Sequence, residues 1–348
     1  MSSYLLIFGV ALLVAFAVTP MARKVALRTG IVDQPNSRKV HLSPVPLLGG
    51  AAMYLAVIVA LILFGDRAYV GQLAGIFLGA TFVSLLGIWD DRQSIPALFR
   101  LAGQVIAAAI LIWSGVQVAF LPYAPLNWII TILWVVGITN AMNLLDNMDG
   151  LAAGVGAVGS AVFLLLAAMN GQYLVGIMAA ALLGACIGFL YYNLNPSNIF
   201  MGDGGSLFLG FVLAAVGIKL RFNANVDIVT WMVPVTVLGI PIMDTTLVVV
   251  SRLRRRLNPL TTPGKDHISH RLVARGWAKR EAALALCLTG SVLGFIAVFL
   301  TQASVLEGYV IFGGVVLIAL AVLVTLERDL ILSERQVMQR AARGDSDG

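Results

Sequence analysis

A succession of apolar runs, each near the length a helix needs to cross a bilayer, constrains this chain more than any other feature. Eleven can be marked, at about 3–20, 47–64, 72–88, 101–119, 127–144, 153–169, 174–192, 206–220, 229–250, 284–303 and 307–326. A transmembrane helix takes roughly 20 apolar residues, whereas an outer-membrane strand takes about ten of alternating polarity. These runs do not alternate, so they predict helices. With 59% hydrophobic and 11% charged residues in 348, a soluble domain could not bury the apolar surface. The expected class is all-α: a polytopic membrane protein with about eleven transmembrane helices. Its expected domains are one integral-membrane catalytic domain, 1–326, and a charged cytosolic tail, 327–348.

Charge sets the expected orientation. The loops after odd-numbered runs, with the tail, hold 20 of the 23 Lys and Arg; the other side holds Arg67, Lys219 and Arg221. Positive residues gather on the cytosolic side, so the N-terminus is placed outside and the C-terminus in the cytosol. The net charge of +6 therefore reports topology and not nucleic-acid binding. The first basic residue, Arg23, follows the first run, the order of a signal anchor. Cys186 and Cys287 both fall in apolar runs, with neither a disulfide frame nor zinc spacing.

The polar chemistry collects in the odd-numbered loops. Asn140, Asn143, Asp146 and Asp149, read as helix, recur every third residue and share a face, with Asn147 four after Asn143. Asp90 and Asp91 are adjacent and cannot share a face, so one should point into the site and the other brace it. Around Asp203, Gly202, Gly204 and Gly205 would let backbone approach a ligand, and Ser206 could cap the next helix. His267 and His270 lie three apart beside Lys265 and Arg271, donors suited to a diphosphate. Arg254 to Arg256 read better as a lipid-surface anchor. Lys39 lies in a basic stretch whose Pro44 and Pro46 fix an extended lead into the second run. Gly154, Gly156 and Gly159 imitate a dinucleotide fingerprint but sit inside a membrane run, where small residues serve packing. Asp244, inside the ninth run, has no assigned role.

Five carboxylates on one membrane face repel one another without a cation. All-oxygen ligands point to Mg²⁺, with Mn²⁺ as the substitute. With basic residues alongside, the reaction class is phosphoryl transfer between a lipid and a water-soluble substrate. An ion-coupled transporter is the competing class; its polar residues would lie mid-membrane on broken helices, not at span ends.

WDDR, NAMNLLDNMDGLAAG, FMGDGGSLFLG and HISHRL, in this order from about Asp33 to Leu272, resemble the polyprenyl-phosphate N-acetylhexosamine-1-phosphate transferases. The branch most resembled acts on undecaprenyl phosphate and UDP-N-acetylglucosamine. The resemblance implies a multi-pass enzyme of the bacterial inner membrane. It would pass a sugar phosphate from a UDP-sugar to a polyprenyl phosphate, release UMP and start a cell-surface glycan such as an O-antigen. By resemblance, Asp203 is the metal ligand. Asp90, Asp91, Asp146, Asp149, His267 and His270 are candidate catalytic residues. Lys39, Asn143, Asn147, Gly204 and Arg271 are candidate substrate-binding residues. The branch usually reads HIHHRL, and Ser269 here replaces the middle His. The muramoyl-pentapeptide branch, the runner-up, has three adjacent His. The sequence fixes no oligomeric state, and a homodimer is one option.

Overall fold

The computed structural model describes residues 2–34, 44–65, 67–222, 227–262 and 264–343. In chain order its helices are α1 (Ser2–Thr29), α2 (Gly49–Phe64), α3 (Val70–Gln93), α4 (Ala97–Trp113), α5 (Ala124–Leu145), α6 (Leu151–Met169), α7 (Tyr173–Asn193), α8 (Gly202–Lys219), α9 (Asp227–Thr230), α10 (Met232–Val237), α11 (Gly239–Arg254), α12 (Ile268–Ala274), α13 (Lys279–Leu300) and α14 (Val305–Arg343). Eight of them are long and apolar enough to cross a membrane, and α2 and α4 are shorter apolar helices. The protein is an all-α polytopic membrane protein.

One expected span is corrected and another is interrupted. The ninth run, 229–250, is divided into α9, α10 and α11 by single-residue breaks. Pro234 and Pro241 explain the breaks, because a proline ring clashes with the carbonyl four residues earlier and offers no N–H. Those positions are Thr230 and Val237, where α9 and α10 end. The fourth run stops at Trp113 and not at 119. Gly115 takes φ +79°, and Val116 N–H donates to the Leu111 carbonyl at 2.9 Å, the wrapped C-terminus that a left-handed glycine permits. The last helix, in contrast, runs past residue 326 without a break.

At the centre stands α8, packed by α2, α3, α5, α6 and α7 and buried over 89% of its apolar window, against 6% for α14. Lipid tails are as apolar as leucine, so close approach of small residues, and not water exclusion, holds such helices together. A Cβ on Gly50 of α2 would lie 2.0 Å from the Gly205 Cα of α8, so neither helix can carry a side chain there. On Gly184 of α7 it would lie 2.3 Å from the Phe8 carbonyl of α1. Gly156 of α6 abuts Leu209 of α8, as its small-residue reading expects.

This packing brings the polar loops to one end. Two short strands, Val32–Asp33 and Val45–Pro46, pair antiparallel (Val32 with Pro46, Asp33 with Val45). The Pro46 carbonyl then accepts from Phe200 N–H at 2.8 Å, and Gly49 and Gly50 N–H donate to Phe200 and Met201 at 3.0 and 2.9 Å. The loop entering α2 is thus stitched to the loop entering α8. Gly50→Val should cost about 1–3 kcal/mol of overpacking. We expect a lower thermal midpoint and earlier aggregation in detergent, while Gly9→Val, with open space around its Cβ, changes neither.

Candidate active site

The site begins at the first turn of α8. A helix N-terminus leaves four N–H groups without intrahelical partners. Ser206 does not cap this one as expected; it lies within α8, and its hydroxyl donates to the Gly202 carbonyl at 3.1 Å. The cap comes from another helix. Asp91, at the end of α3, accepts from Asp203 N–H at 2.9 Å and Gly204 N–H at 3.2 Å. Gly87 and Gly204 allow this approach: a Cβ on Gly87 would meet the Asp203 carbonyl at 2.5 Å, and one on Gly204 would meet Ile88 at 2.6 Å. Gly204, a candidate substrate-binding residue, has a packing role here. It is buried between helices and lets α3 and α8 cross.

Around Asp203 the partners are specific. Asn143 Nδ2 donates to Asp203 Oδ1 at 2.7 Å and to Ser206 Oγ at 2.9 Å. Arg100 Nη1 lies 2.5 Å from Asp90 Oδ2 and 3.5 Å from Asp203 Oδ2, bridging the two carboxylates. Asp90 Oδ1 also accepts from Ile95 N–H at 2.7 Å. The adjacent carboxylates thus face different ways: Asp90 shares Arg100 with Asp203, and Asp91 braces the first turn of α8. The turn at Ser94, with φ +45°, folds α4 back so that Arg100 reaches its place.

The stripe from Asn140 to Asp149 is corrected in part. Helix α5 ends at Leu145, so Asp146 and Asp149 lie in the following turn and not on a continued helical face. Gly150 takes φ +73°, and its N–H donates to Asn193 Oδ1 at 3.0 Å. Asp149 is held by Asn195 Nδ2 at 3.0 Å and by the backbone N–H and hydroxyl of Ser197, both at 3.2 Å. Burial, then Asp203 and Asp149 nearby, pushes Asp146 up to about 7. Loss of hydration is the main cause of that rise, and the neighbouring carboxylates add to it. Asn140 turns away to pair with Gln104 of α4.

The histidine segment reaches the same place from α12. Ser269 Oγ donates to Asn147 Oδ1 at 2.6 Å, tying α12 to the turn after α5. The His267 and His270 rings lie 6.0 Å apart, edge to face. Burial, then His267 and Lys265, holds His270 below the usual imidazole value, so it is neutral at pH 7. Arg271, a candidate substrate-binding residue, is engaged by protein groups through Nε and Nη1. It is buried, with Nε on the Asp266 carbonyl at 2.9 Å and Nη1 on the Leu326 carbonyl at 2.8 Å and on Glu327 Oε2 at 3.0 Å. Arg254 pairs with Glu327 Oε1 at 2.5 Å, and Arg255 pairs with Asp266, so two of the supposed lipid anchors make protein ion pairs. Burial alone would raise Asp266, but hydrogen bonds from Arg252 and Arg255 more than offset it and hold the carboxyl below its usual value. Lys39 lies outside the described residues.

Known proteins resemble this chain over most of its length. The model of glycosyl transferase family 4 matches residues 73–221, which span α3 to α8. A probable undecaprenyl-phosphate N-acetylglucosaminyl 1-phosphate transferase of Bacillus subtilis is 34% identical, over 88% of this chain and 87% of its own length. The chain belongs to the polyprenyl-phosphate N-acetylhexosamine-1-phosphate transferases. Other relatives of this transferase are a decaprenyl-phosphate N-acetylglucosaminephosphotransferase of Mycolicibacterium smegmatis (33% identical; 82% of this chain, 79% of the relative) and an undecaprenyl-phosphate alpha-N-acetylglucosaminyl 1-phosphate transferase of Escherichia coli K12 (27%; 80% and 78%).

Reading of the transferase sequence missed Arg100, Ser197 and Asn195 as partners of the carboxylates. Arg100 and Asp90 are ten residues apart across a helix break, a spacing with no motif. Asn195 and Ser197 lie in the loop before the Asp203 stretch and belong to no motif read in the sequence. Asp91→Ala would strip two buried N–H groups of their acceptor. It should lower the unfolding midpoint by the equivalent of about 1–2 kcal/mol, with Asp91→Asn, which keeps one acceptor oxygen, falling between in the same thermal melt.

Proposed function

We propose that the chain transfers N-acetylglucosamine 1-phosphate from UDP-N-acetylglucosamine to a polyprenyl phosphate such as undecaprenyl phosphate, releasing UMP at the cytosolic face of the bacterial inner membrane. One observation carries this reading. Asp90, Asp91, Asp146, Asp149 and Asp203 sit with His267 and His270 at one end of the helices, in a chain whose relatives are named for this transfer. Polar groups at helix ends on one face suit an enzyme better than a transporter.

Mg²⁺ is the proposed cofactor, with Mn²⁺ as its substitute. The donor set fits. Among the described residues no three His, Cys, Asp or Glu converge as a closed metal cage would require. Mg²⁺ usually takes one or two carboxylates and completes its shell with water and phosphate. Asp203 would hold it, with Asp146 as a neighbouring carboxylate that feels the Asp203 charge. When bound, the ion would neutralise charge on the substrate diphosphate.

The protein's own groups then do the positioning. Arg100 and Asn143 fix the Asp203 carboxylate, and Asp91 fixes the turn that carries it. An oxygen of the lipid phosphate attacks the β-phosphorus of the UDP-sugar, the bridge to the α-phosphorus breaks, and UMP leaves. A phosphate monoester has a second pKa of about 6, so the nucleophile is already largely dianionic at neutral pH. No strong base is needed, which suits an Asp90 engaged by Arg100 and Ile95. His267 absorbs charge on the departing UMP.

Purified protein with undecaprenyl phosphate and Mg²⁺, offered a panel of UDP-sugars, should release UMP from UDP-N-acetylglucosamine. Preference for the muramoyl-pentapeptide sugar would overturn the assignment. Asp203→Asn should lower Mg²⁺-dependent UMP release by about 10²-fold or more, with its melt little changed. Rapid mixing without lipid phosphate should release no UMP; a burst equal to the enzyme concentration would establish a covalent intermediate instead.

A further inference from the structure

Asp244 takes no part in the transfer as derived so far, yet it is one of the most expensive side chains in the molecule. It lies in α11, fully buried. A carboxylate in such a place is costly, and it survives only with both oxygens satisfied. They are. Oδ2 lies 2.8 Å from His267 Nδ1, and Oδ1 accepts from Ile268 N–H at 2.7 Å. Ile268 is the first residue of α12, so one carboxylate grips both the imidazole and the start of the helix that carries it.

The chemistry of that grip is directional. A carboxylate only accepts, so Nδ1 must carry a proton. The other ring nitrogen, Nε2, makes no hydrogen bond with the described residues. The ring is buried otherwise, and Ser269, two residues on, is tied to Asn147 in the carboxylate turn. A buried acid behind one nitrogen, with the second left for a ligand, is how an imidazole is kept in one tautomer and helped to hold positive charge.

We propose that Asp244 is a positioning residue for the transfer, holding the His267 ring with Nδ1 protonated so that a protonated Nε2 meets the diphosphate as it gains charge. This rests on the reading of the chain as a UDP-sugar transferase. The alternative is that Asp244 merely caps α12. Asp244→Asn separates the two. Its amide oxygen can still accept from Ile268, which preserves the cap, but its NH₂ group must donate to Nδ1. The ring is then forced to the opposite tautomer and loses the anion that supports its charge.

The test uses the full-length protein with ¹⁵N-labelled histidine; three His are present, and His267→Gln assigns the resonance. Wild type should show Nδ1 protonated, and Asp244→Asn should show Nδ1 bare and Nε2 protonated. UMP release should fall by about 10²-fold in kcat, with KM for UDP-N-acetylglucosamine changed by less than about threefold. In the His267→Gln background the same substitution should cost nothing more. Ser269→Ala, which loosens α12 without touching the ring, should raise KM and leave the tautomer as in wild type. A bare Nδ1 in wild type overturns the proposal even if the variant fails to fold. Unchanged kcat with an inverted tautomer also overturns it, as does an equal loss with and without His267. Wild type releasing no UMP from any UDP-sugar would instead overturn the reading beneath it, while the ring resonances would still report the Asp244 contact.

Discussion

Helix N-termini cannot be left unsatisfied near hydrocarbon, and this site is built around that constraint. Two of its helices start on a carboxylate borrowed from a neighbour. Asp91 of α3 receives the first amides of α8, and Asp244 of α11 receives the first amide of α12. A local serine cap would satisfy the amides and nothing more. A cap from another helix also fixes where the new helix begins relative to its donor. Asp203 and His267 both stand beside such starts, so their positions are set by interhelical bonds and not by loop conformation.

The two halves of the site are nevertheless held differently. The carboxylate half grows out of long buried helices whose glycines force close contact, with α8 wrapped on most sides. The histidine half is a seven-residue helix, too short to be stable by itself. Its place is set by side chains: Asp244 and Ser269 at one end, and Arg271 with Glu327 at the other. Glu327 also receives Arg254, so the end of the last apolar stretch takes part in seating the histidines.

How much of this could be read in advance follows from the range of each interaction. Run length and charge asymmetry are local sums, and they gave the helical class. The carboxylates and histidines were legible because their residue types are costly in such a chain and they cluster in the loops between odd and even runs. What was not legible depended on which helices meet. Gly204 looked like a ligand-facing glycine, and its real neighbour, Ile88, lies more than a hundred positions away. Arg271 looked like a phosphate donor until its partner appeared on α14. Asp244 could not be assigned, because a buried acid is explained only by the group that buries with it. The interruptions of the ninth run, in contrast, follow from its two prolines, which were in plain view.

The bond between Ser269 and Asn147 joins the histidine motif to the aspartate motif across 122 positions of sequence. Its consequence is mechanical. The turn that carries Asp146 and Asp149 and the helix that follows His267 share this contact, so a shift of one is passed directly to the other. Ser269 is fully buried, and a residue without an acceptor at 147 would strand its hydroxyl.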